Sequence, residues 1–531
     1  MTDASMGSDG DPDAIVIGAG PNGLVAANLL ADAGWRVLVL EAQSTPGGAV
    51  CSAELVAPGF VADVCSSCYP LGLASPVLQR LDLEAHGLRW SHAPLALAHP
   101  TPDGCVFVDP SDPDATAASV DAFAPGDGRV WEKLFRRWER AGPAVMNTLL
   151  APFPPVRAAT GAARAIGPRD LLGFARMSLW SLDRVAREFD GEGGRLLLGG
   201  NMAHTDLPMS AATGAMYGWL LACLAQSVGF PVVEGGAGRL TEALVARLVA
   251  AGGELRFDAP IARVIVSDGR AQGVVTVDGT EVRARKAVLA DTAAPSLYLD
   301  LVGAEHLPRR QLRALRRFRW DHGTVKLDWA LSGPIPWIAE PARRAGVVHV
   351  IDSVAALRTA GAQLERGQVP AEPFMIVGQT TTADATRSPA GTEAAWAYTH
   401  VPQEIRGDAG ADAGGEVTGR WDDADGARMA DRIEAQIERR APGFRALVQA
   451  RHIHTPASLE AHDANLVGGA VNGGTAALRQ QLCFRPTPTL HGGARTPIHD
   501  LYLASAGAHP GGGVHGACGA NAAHAALRRS R

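Results

Sequence analysis

The sequence predicts an α/β fold in which a parallel nucleotide-binding sheet is assembled from discontinuous segments and an α+β domain is inserted between them. Three glycine-rich blocks carry this prediction. In the first, the apolar run Ala14–Ile17 leads into Gly18, Gly20, Pro21, Asn22 and Gly23. Leu24–Ala33 then reads as a helix stopped by Gly34, and a second apolar run, Arg36–Leu40, ends at Glu41. In the second, Gly235, Gly236 and Gly238 open a helix over Thr241–Ala250. In the third, a strand over Leu501–Ser505 runs through the glycine turn Gly507–Gly519 into an alanine-rich helix over Gly516–Leu527.

The first block has the G-x-G-x-x-G spacing of a β-α-β dinucleotide site, with Glu41 close to the ~20-residue offset expected for the acid. Gly18 permits the tight turn, Gly20 lets backbone approach a pyrophosphate, and Gly23 lets helix and strand pack closely. The helix N-terminus offers unpaired N–H groups and a positive dipole end to phosphates, and Glu41 can accept hydrogen bonds from ribose hydroxyls. The fold is therefore read as Rossmann-like.

The composition is globular, with 47% hydrophobic and 20% charged residues, enough apolar material for a large core. A net charge of −6 argues against a nucleic-acid partner, which requires a basic face. Seven scattered cysteines form no disulfide framework and fit a reducing, cytoplasmic setting. The polar N-terminus lacks the basic and apolar regions of a signal peptide. The uncharged stretch Leu207–Val233 is long enough to cross a bilayer. Its prolines and polar residues favour a helix buried in the protein instead.

Between the blocks the pattern changes several times. Pro46, Gly47 and Gly48 form a turn whose backbone can approach the same ligand, and Phe60–Asp63 is extended. Cys65 and Cys68 have C-x-x-C spacing, read as two incidental loop residues rather than a redox pair. Short strands are expected over Ser91–Asp114 and helices over Gly128–Glu188, where WEKLFRRWER is amphipathic. Arginines interspersed with apolar residues over Arg157–Arg184 read as a solvated helix face and leave peripheral membrane contact open. Strands follow at Glu254–Phe257, Ile261–Ser267, Gly273–Val277 and Glu281–Ala284, with a hairpin signal at Asp278-Gly279. Lys286–Asp291 reads as a buried strand returning beside the first unit. Thr324–Leu331 and Ala345–Ile351 are further strands. Arg406–Gly426 reads as a solvated surface loop, and Ala427–Arg440 as an amphipathic helix. No internal repeat is found and no metal site is expected.

Together, Gly18, Gly20, Gly23 and Glu41, Pro46-Gly47-Gly48, Gly235 through Leu240, and Ala508 through Gly519 resemble the phytoene-desaturase-like group of FAD-dependent, amine-oxidase-type flavoproteins. Within that group the resemblance is to bacterial relatives of pyridine nucleotide-disulphide oxidoreductase domain-containing protein 2. It implies a three-layer ββα FAD-binding domain over residues 1–110, 226–300 and 452–531 and a substrate domain over residues 111–225 and 301–451, with Gly18–Gly23 binding the FAD pyrophosphate and Glu41 the adenosine ribose. Gly47 and Gly48 would flank the flavin side, and Val264 would meet the adenine through its backbone. Gly507, Gly513 and Val514 would lie near the flavin ring, where a helix dipole can stabilise the anionic reduced flavin.

The resemblance further implies an enzyme that desaturates or oxidises an apolar or amphipathic substrate by hydride transfer to flavin. No second nicotinamide-binding fingerprint is present, so oxygen, a quinone or another acceptor would remove the electrons. His509, in the C-terminal glycine turn, is the first candidate base and His204, near Asp206, the second. Tyr217 and Trp219 are expected to line a tunnel or core. The alternative is a flavin-binding regulatory or interaction protein with little turnover.

Overall fold

Ala14–Ile17 is a strand with all four residues buried, as a parallel strand covered on both faces must be. It pairs in parallel with Val37–Leu40 on one side and Ala287–Ala290 on the other. Glu254–Arg256 and Leu501–Leu503 complete a five-stranded parallel sheet. The expected returning strand, and the strand of the third block, therefore both join the first unit. The computed structural model of the chain describes residues 10–411, 415–490 and 492–529. The acidic N-terminus through residue 9 lies outside them.

Side-chain alternation along these strands builds three layers. Ala14 and Val16 face the helices Pro21–Asp32, Gly238–Ala250 and Ala517–Arg529. Ile15, Ile17, Leu38 and Leu40 face a three-stranded antiparallel sheet, Ile261–Ser267, Arg270–Thr276 and Glu281–Arg283, through Val264 and Val274. The opening and closing helices approach so closely that a Cβ on Gly519 would overlap the Asn22 carbonyl oxygen. The N-terminal ends of the first and last helices are thereby fixed side by side.

A second sheet has seven strands. In spatial order they are Val448–His454, Gly323–Leu331, Glu393–Val401, Met375–Gln379, Ala345–Val350, Leu95–Thr101 and Gly104–Val108. The last two strands lie outside the substrate domain as the sequence delimited it. They nevertheless pair with Ala345–Val350 and with each other. Local alternation identifies a strand without identifying the sheet edge it joins, so the expected boundary at residue 110 falls after these strands instead of before them. Val448–His454 likewise straddles the expected boundary at 451.

The helix Asp423–Arg440 covers one face of this sheet through Met429, Ile433 and Ile437. The other face meets a helical cap that includes Asp127–Leu150, Pro168–Leu179, Glu192–Met202 and Gly214–Val228. Trp131, Leu134, Phe135 and Trp138 form the buried side of the WEKLFRRWER helix, while Glu132 and Arg136 pair on its exposed side. Trp219 is core, its indole N–H donating to the Leu134 carbonyl at 3.0 Å. The uncharged stretch is thus a buried helix of 15 residues. Among the described residues no helix is long and apolar enough to cross a membrane.

The stretch Arg406–Gly426 is more than a solvated loop. Gly407–Asp408 pairs with Gln368–Val369. Asp408 accepts from the Gly410 and Val417 N–H groups and from both Arg432 terminal nitrogens at 2.8–2.9 Å. Its composition resembles a loop because the aspartates that anchor it to neighbouring backbone and to Arg432 are the residue type that also favours solvent. Positions 412–414 lie outside the described residues.

Asp63 ties the two sheets together. Its carboxylate accepts from the Ser52 and Ser67 hydroxyls and the Ala237 N–H at 2.7–2.8 Å. It also pairs at 2.8 Å with Arg387, both side chains being essentially inaccessible. Arg387 further donates to the Val61 carbonyl. Breaking one side of a buried pair strands the other charge, at a cost of about 3–5 kcal/mol. Arg387→Met should destabilise the chain by that amount in denaturant titration, and the double variant Asp63→Asn/Arg387→Met by clearly less.

Candidate functional site

A single cavity of about 1080 Å³ runs from the first glycine turn to the helical cap. It exceeds the ~300–1,000 Å³ usual for one small ligand. At one end its walls are Gly18, Gly20, Pro21, Asn22 and Glu41, joined by Gly48. At the other they are apolar, including Met146, Phe174, Leu220, Phe230 and Trp396. The C-terminal turn, with Gly507, His509, Gly513, Val514 and His515, supplies a further wall.

The glycines of the first turn are required by their surroundings. Gly18 has φ +91°, and a Cβ on Gly20 would lie 2.7 Å from an Asp291 carboxylate oxygen. A Cβ on Gly23 would overlap the Gly18 carbonyl oxygen. The Pro46-Gly47-Gly48 turn is tied to this one by the Gly47 N–H, which donates to the Ala19 carbonyl at 2.9 Å. Gly23 and Gly47 therefore shape the cavity from behind, while Gly18, Gly20 and Gly48 face it.

Two carboxylates hold the turn. Glu41 accepts from the Ala19 N–H at 2.6 Å and the Gln43 N–H at 2.9 Å. Asp291, at the end of the strand Ala287–Ala290, accepts from the Gly23 N–H at 2.7 Å. Burial raises the Asp291 pKa to about 7, and the nearby Asp463 and Glu41 carboxylates add to that rise, against the lowering effect of the Gly23 hydrogen bond. The strand containing Asp291 was legible in the sequence, but its hydrogen bond across the glycine turn was not.

The far wall is positioned by two residues the sequence reading missed. Asp321 accepts from the Val471, Asn472 and Gly474 N–H groups at 2.9–3.0 Å. The buried Arg485 guanidinium donates to the Asn472, Gly473 and Ala506 carbonyls at 2.8–3.0 Å. Arg485 thus binds the Asn472–Gly474 loop to the base of the C-terminal glycine turn. No motif marks it; only the fold brings residues 472, 485 and 506 together.

His509 lies in this wall, with its ring edge against Phe153 at 5.7 Å between centroids. Neither ring nitrogen makes a hydrogen bond of good geometry, and burial lowers its pKa to about 4. It is neutral at pH 7 and a weak base. His204 also walls the cavity, but its partner is His349, at 2.9 Å between Nε2 atoms. Asp206, expected beside it, instead accepts from the Ala476 N–H. Tyr217 lines the cavity, as expected of a tunnel residue. Val264 does not: its side chain is buried between layers, and Ala259, Pro260 and Ile261 form the wall nearby. All seven cysteines are free. Cys65 and Cys68 wall the cavity as neutral thiols, their pKa values raised by burial, Cys68 to about 12. Among the described residues no group of three or more His, Cys, Asp or Glu is arranged to hold a metal ion.

This architecture agrees with what known proteins show. A model for the NAD(P)-binding Rossmann-like domain matches residues 16–81. Mouse pyridine nucleotide-disulfide oxidoreductase domain-containing protein 2 is 29% identical, over 97% of this chain and 93% of its own. The neurosporene-forming phytoene desaturase of Rhodobacter capsulatus is 25% identical, over 96% and 92%. The chain is an oxidoreductase similar to the phytoene desaturases. Its fold is also that of putrescine oxidase in complex with putrescine, with a TM-score of 0.60 at 16% identity over 98% of this chain and 99% of that one. The flavin-binding regulatory alternative is not favoured by these relatives, which are named as desaturases and oxidoreductases.

Asp291 gives the chain a pH signature. Its folded pKa, near 7, lies above the ordinary 3.8, so the folded state holds a proton that the unfolded state has released. The stability it contributes is present at low pH and declines as pH rises from about 4 to 7. Asp291→Asn keeps an acceptor for the Gly23 N–H and removes the charge. In thermal melts of the ligand-free protein, the variant should gain more over the parent at pH 8 than at pH 5.

Proposed function

We propose that the cavity binds FAD along its glycine end and oxidises or desaturates an apolar substrate held at its apolar end. The continuity of one cavity between these two ends carries the reading. The residues fit the cofactor in four respects. The Gly18–Gly23 turn presents backbone where side chains would clash. The buried Asn22 Oδ1 in its wall has no hydrogen-bond partner. Glu41 is placed to exchange its backbone hydrogen bonds for ribose hydroxyls. Asp291, with a pKa near 7, can take up a proton and so tolerates a neighbouring diphosphate.

When bound, FAD supplies the hydride acceptor. The chain's own residues do the rest. Gly18, Gly20, Pro21 and Asn22 would hold the diphosphate, Gly23 and Gly47 shape the wall from behind, and Gly48 flanks the flavin side. Gly507, Gly513 and Val514 border the flavin end, and Val264 supports the adenine side from within the second layer. The apolar walls exclude water and orient a C–H bond. His509, neutral and unpaired in the C-terminal turn, accepts the proton that leaves with the second bond. Electrons pass to oxygen, a quinone or another acceptor.

The purified protein should show a flavin absorbance spectrum that bleaches anaerobically with an apolar substrate. Glu41→Ala should weaken FAD retention by about 10- to 150-fold, the equivalent of losing 1.5–3 kcal/mol of hydrogen bonding to a charged group. A chain that binds no flavin, or whose flavin is never reduced, would refute the proposal.

The cavity mouth supports peripheral membrane contact as the route of substrate entry. On the helix Pro168–Leu179, Arg169, Leu172, Arg176 and Leu179 are exposed at helical spacing, and Leu179 also walls the cavity. Leu172 and Leu179 are 69% and 59% accessible, an unusual pair of leucines to leave in water unless they meet an apolar phase. Sedimentation with anionic vesicles at low salt should carry the protein down, and Leu172→Glu, which lies outside the cavity wall, should weaken that binding while leaving the flavin spectrum unchanged.

A further inference from the structure

His204 reaches the cavity from the end of the helix Glu192–Met202, and His349 lies beneath it on the strand Ala345–Val350. Their Nε2 atoms are 2.9 Å apart. Burial lowers both pKa values, that of His204 to about 3, so both rings are neutral. In a neutral pair one Nε2 carries the proton and the other accepts it.

The surroundings of His349 decide which. Its Nδ1 is buried with no hydrogen-bond partner. It sits where a Cβ on residue 200 would clash with it, a space that Gly200 leaves open. If His204 were the donor, His349 would carry its proton on Nδ1, a buried N–H with nothing to receive it. Orphaned buried N–H groups are rarer than unsatisfied acceptors, and stranding one costs about 1–3 kcal/mol. The neighbouring His99 follows the same rule. Its Nε2 donates to the Ile351 carbonyl at 2.9 Å, and the nitrogen left unpartnered is the other one, Nδ1. His349 therefore donates, and His204 accepts with Nε2.

The consequence lies in the cavity. His204 Nε2 is occupied, and its Nδ1, which has no partner among the described residues, carries a hydrogen. The hydroxyls of Tyr217 and Tyr398, in the walls of the same cavity, also lack protein partners. We propose that His204 is a hydrogen-bond donor for substrate rather than a base. Its Nδ1–H, set by His349, selects an apolar molecule that carries an oxygen acceptor, a carbonyl or hydroxyl, over the bare hydrocarbon. This rests on the cavity being the substrate site, and it makes His349 a positioning residue and His204 a specificity residue.

Two measurements test it on the flavin-loaded protein. In the first, ¹⁵N NMR of histidine-labelled protein, assigned with His204→Gln, reads which nitrogen holds the proton. Nδ1–H on His204 and Nε2–H on His349 are expected, and the opposite tautomers overturn the proposal whatever the activity. In the second, carvone and limonene, one carbon skeleton with and without a carbonyl, are titrated against the flavin spectrum. Carvone should bind about tenfold more tightly; His204→Phe should abolish the difference and His204→Gln, which keeps an N–H donor, should restore part of it. Equal binding of the two overturns the donor role alone. If neither binds protein that carries its flavin, the substrate-site reading falls and this inference with it.

Discussion

The structure depends on holding one helix N-terminus open. The turn Gly18–Gly23 must keep backbone amides turned toward a cavity, where leaving them unpaired is costly. Two carboxylates resolve this by taking the Ala19 and Gly23 amides from either side. Each comes from the end of a strand flanking Ala14–Ile17, Glu41 after Val37–Leu40 and Asp291 after Ala287–Ala290. The parallel register of three strands therefore sets the shape of the turn. A one-residue slip would send each carboxylate to the wrong face of the sheet.

The rest of the cavity is organised by polar groups that face backbone rather than ligand. Asp321 gathers three amides of the Val471–Gly474 loop, and Arg485 gathers carbonyls from that loop and from Ala506. Asp63 and Arg387 do the same where the middle glycine block meets the seven-stranded sheet. In each case a charge is buried against several fixed dipoles, which satisfies it and rigidifies the loop at once. The far end of the cavity can then stay largely apolar, with His204, Tyr217 and Tyr398 among its polar points.

Much of this was legible in the sequence because it is local. The glycine spacings, the apolar runs that became buried strands, the Asp278-Gly279 hairpin and the closing strand–turn–helix all follow from period and turn chemistry. The three-layer arrangement came only with the family resemblance; that Ile15 and Ile17 are covered by an antiparallel sheet is visible in the structure alone. What escaped was pairing over distance. Nothing near Leu95–Thr101 says that it will join Ala345–Val350. Nothing near His204 announces His349, and Asp206, its neighbour in sequence, pairs with Ala476 instead. Arg406–Gly426 misled because aspartates that anchor a segment look, in sequence, like aspartates that solvate it.

The order of strands also governs when the protein can become itself during synthesis. The strand Ala14–Ile17 is made long before its neighbour Ala287–Ala290, and Leu501–Leu503 and the helix packed against Pro21–Asp32 follow later still. Contacts of such separation close slowly, and a nascent chain of a few hundred residues would carry an exposed sheet edge throughout. The five-stranded sheet, and with it the wall that the C-terminal glycine turn gives the cavity, closes only once Leu501–Leu503 has been made.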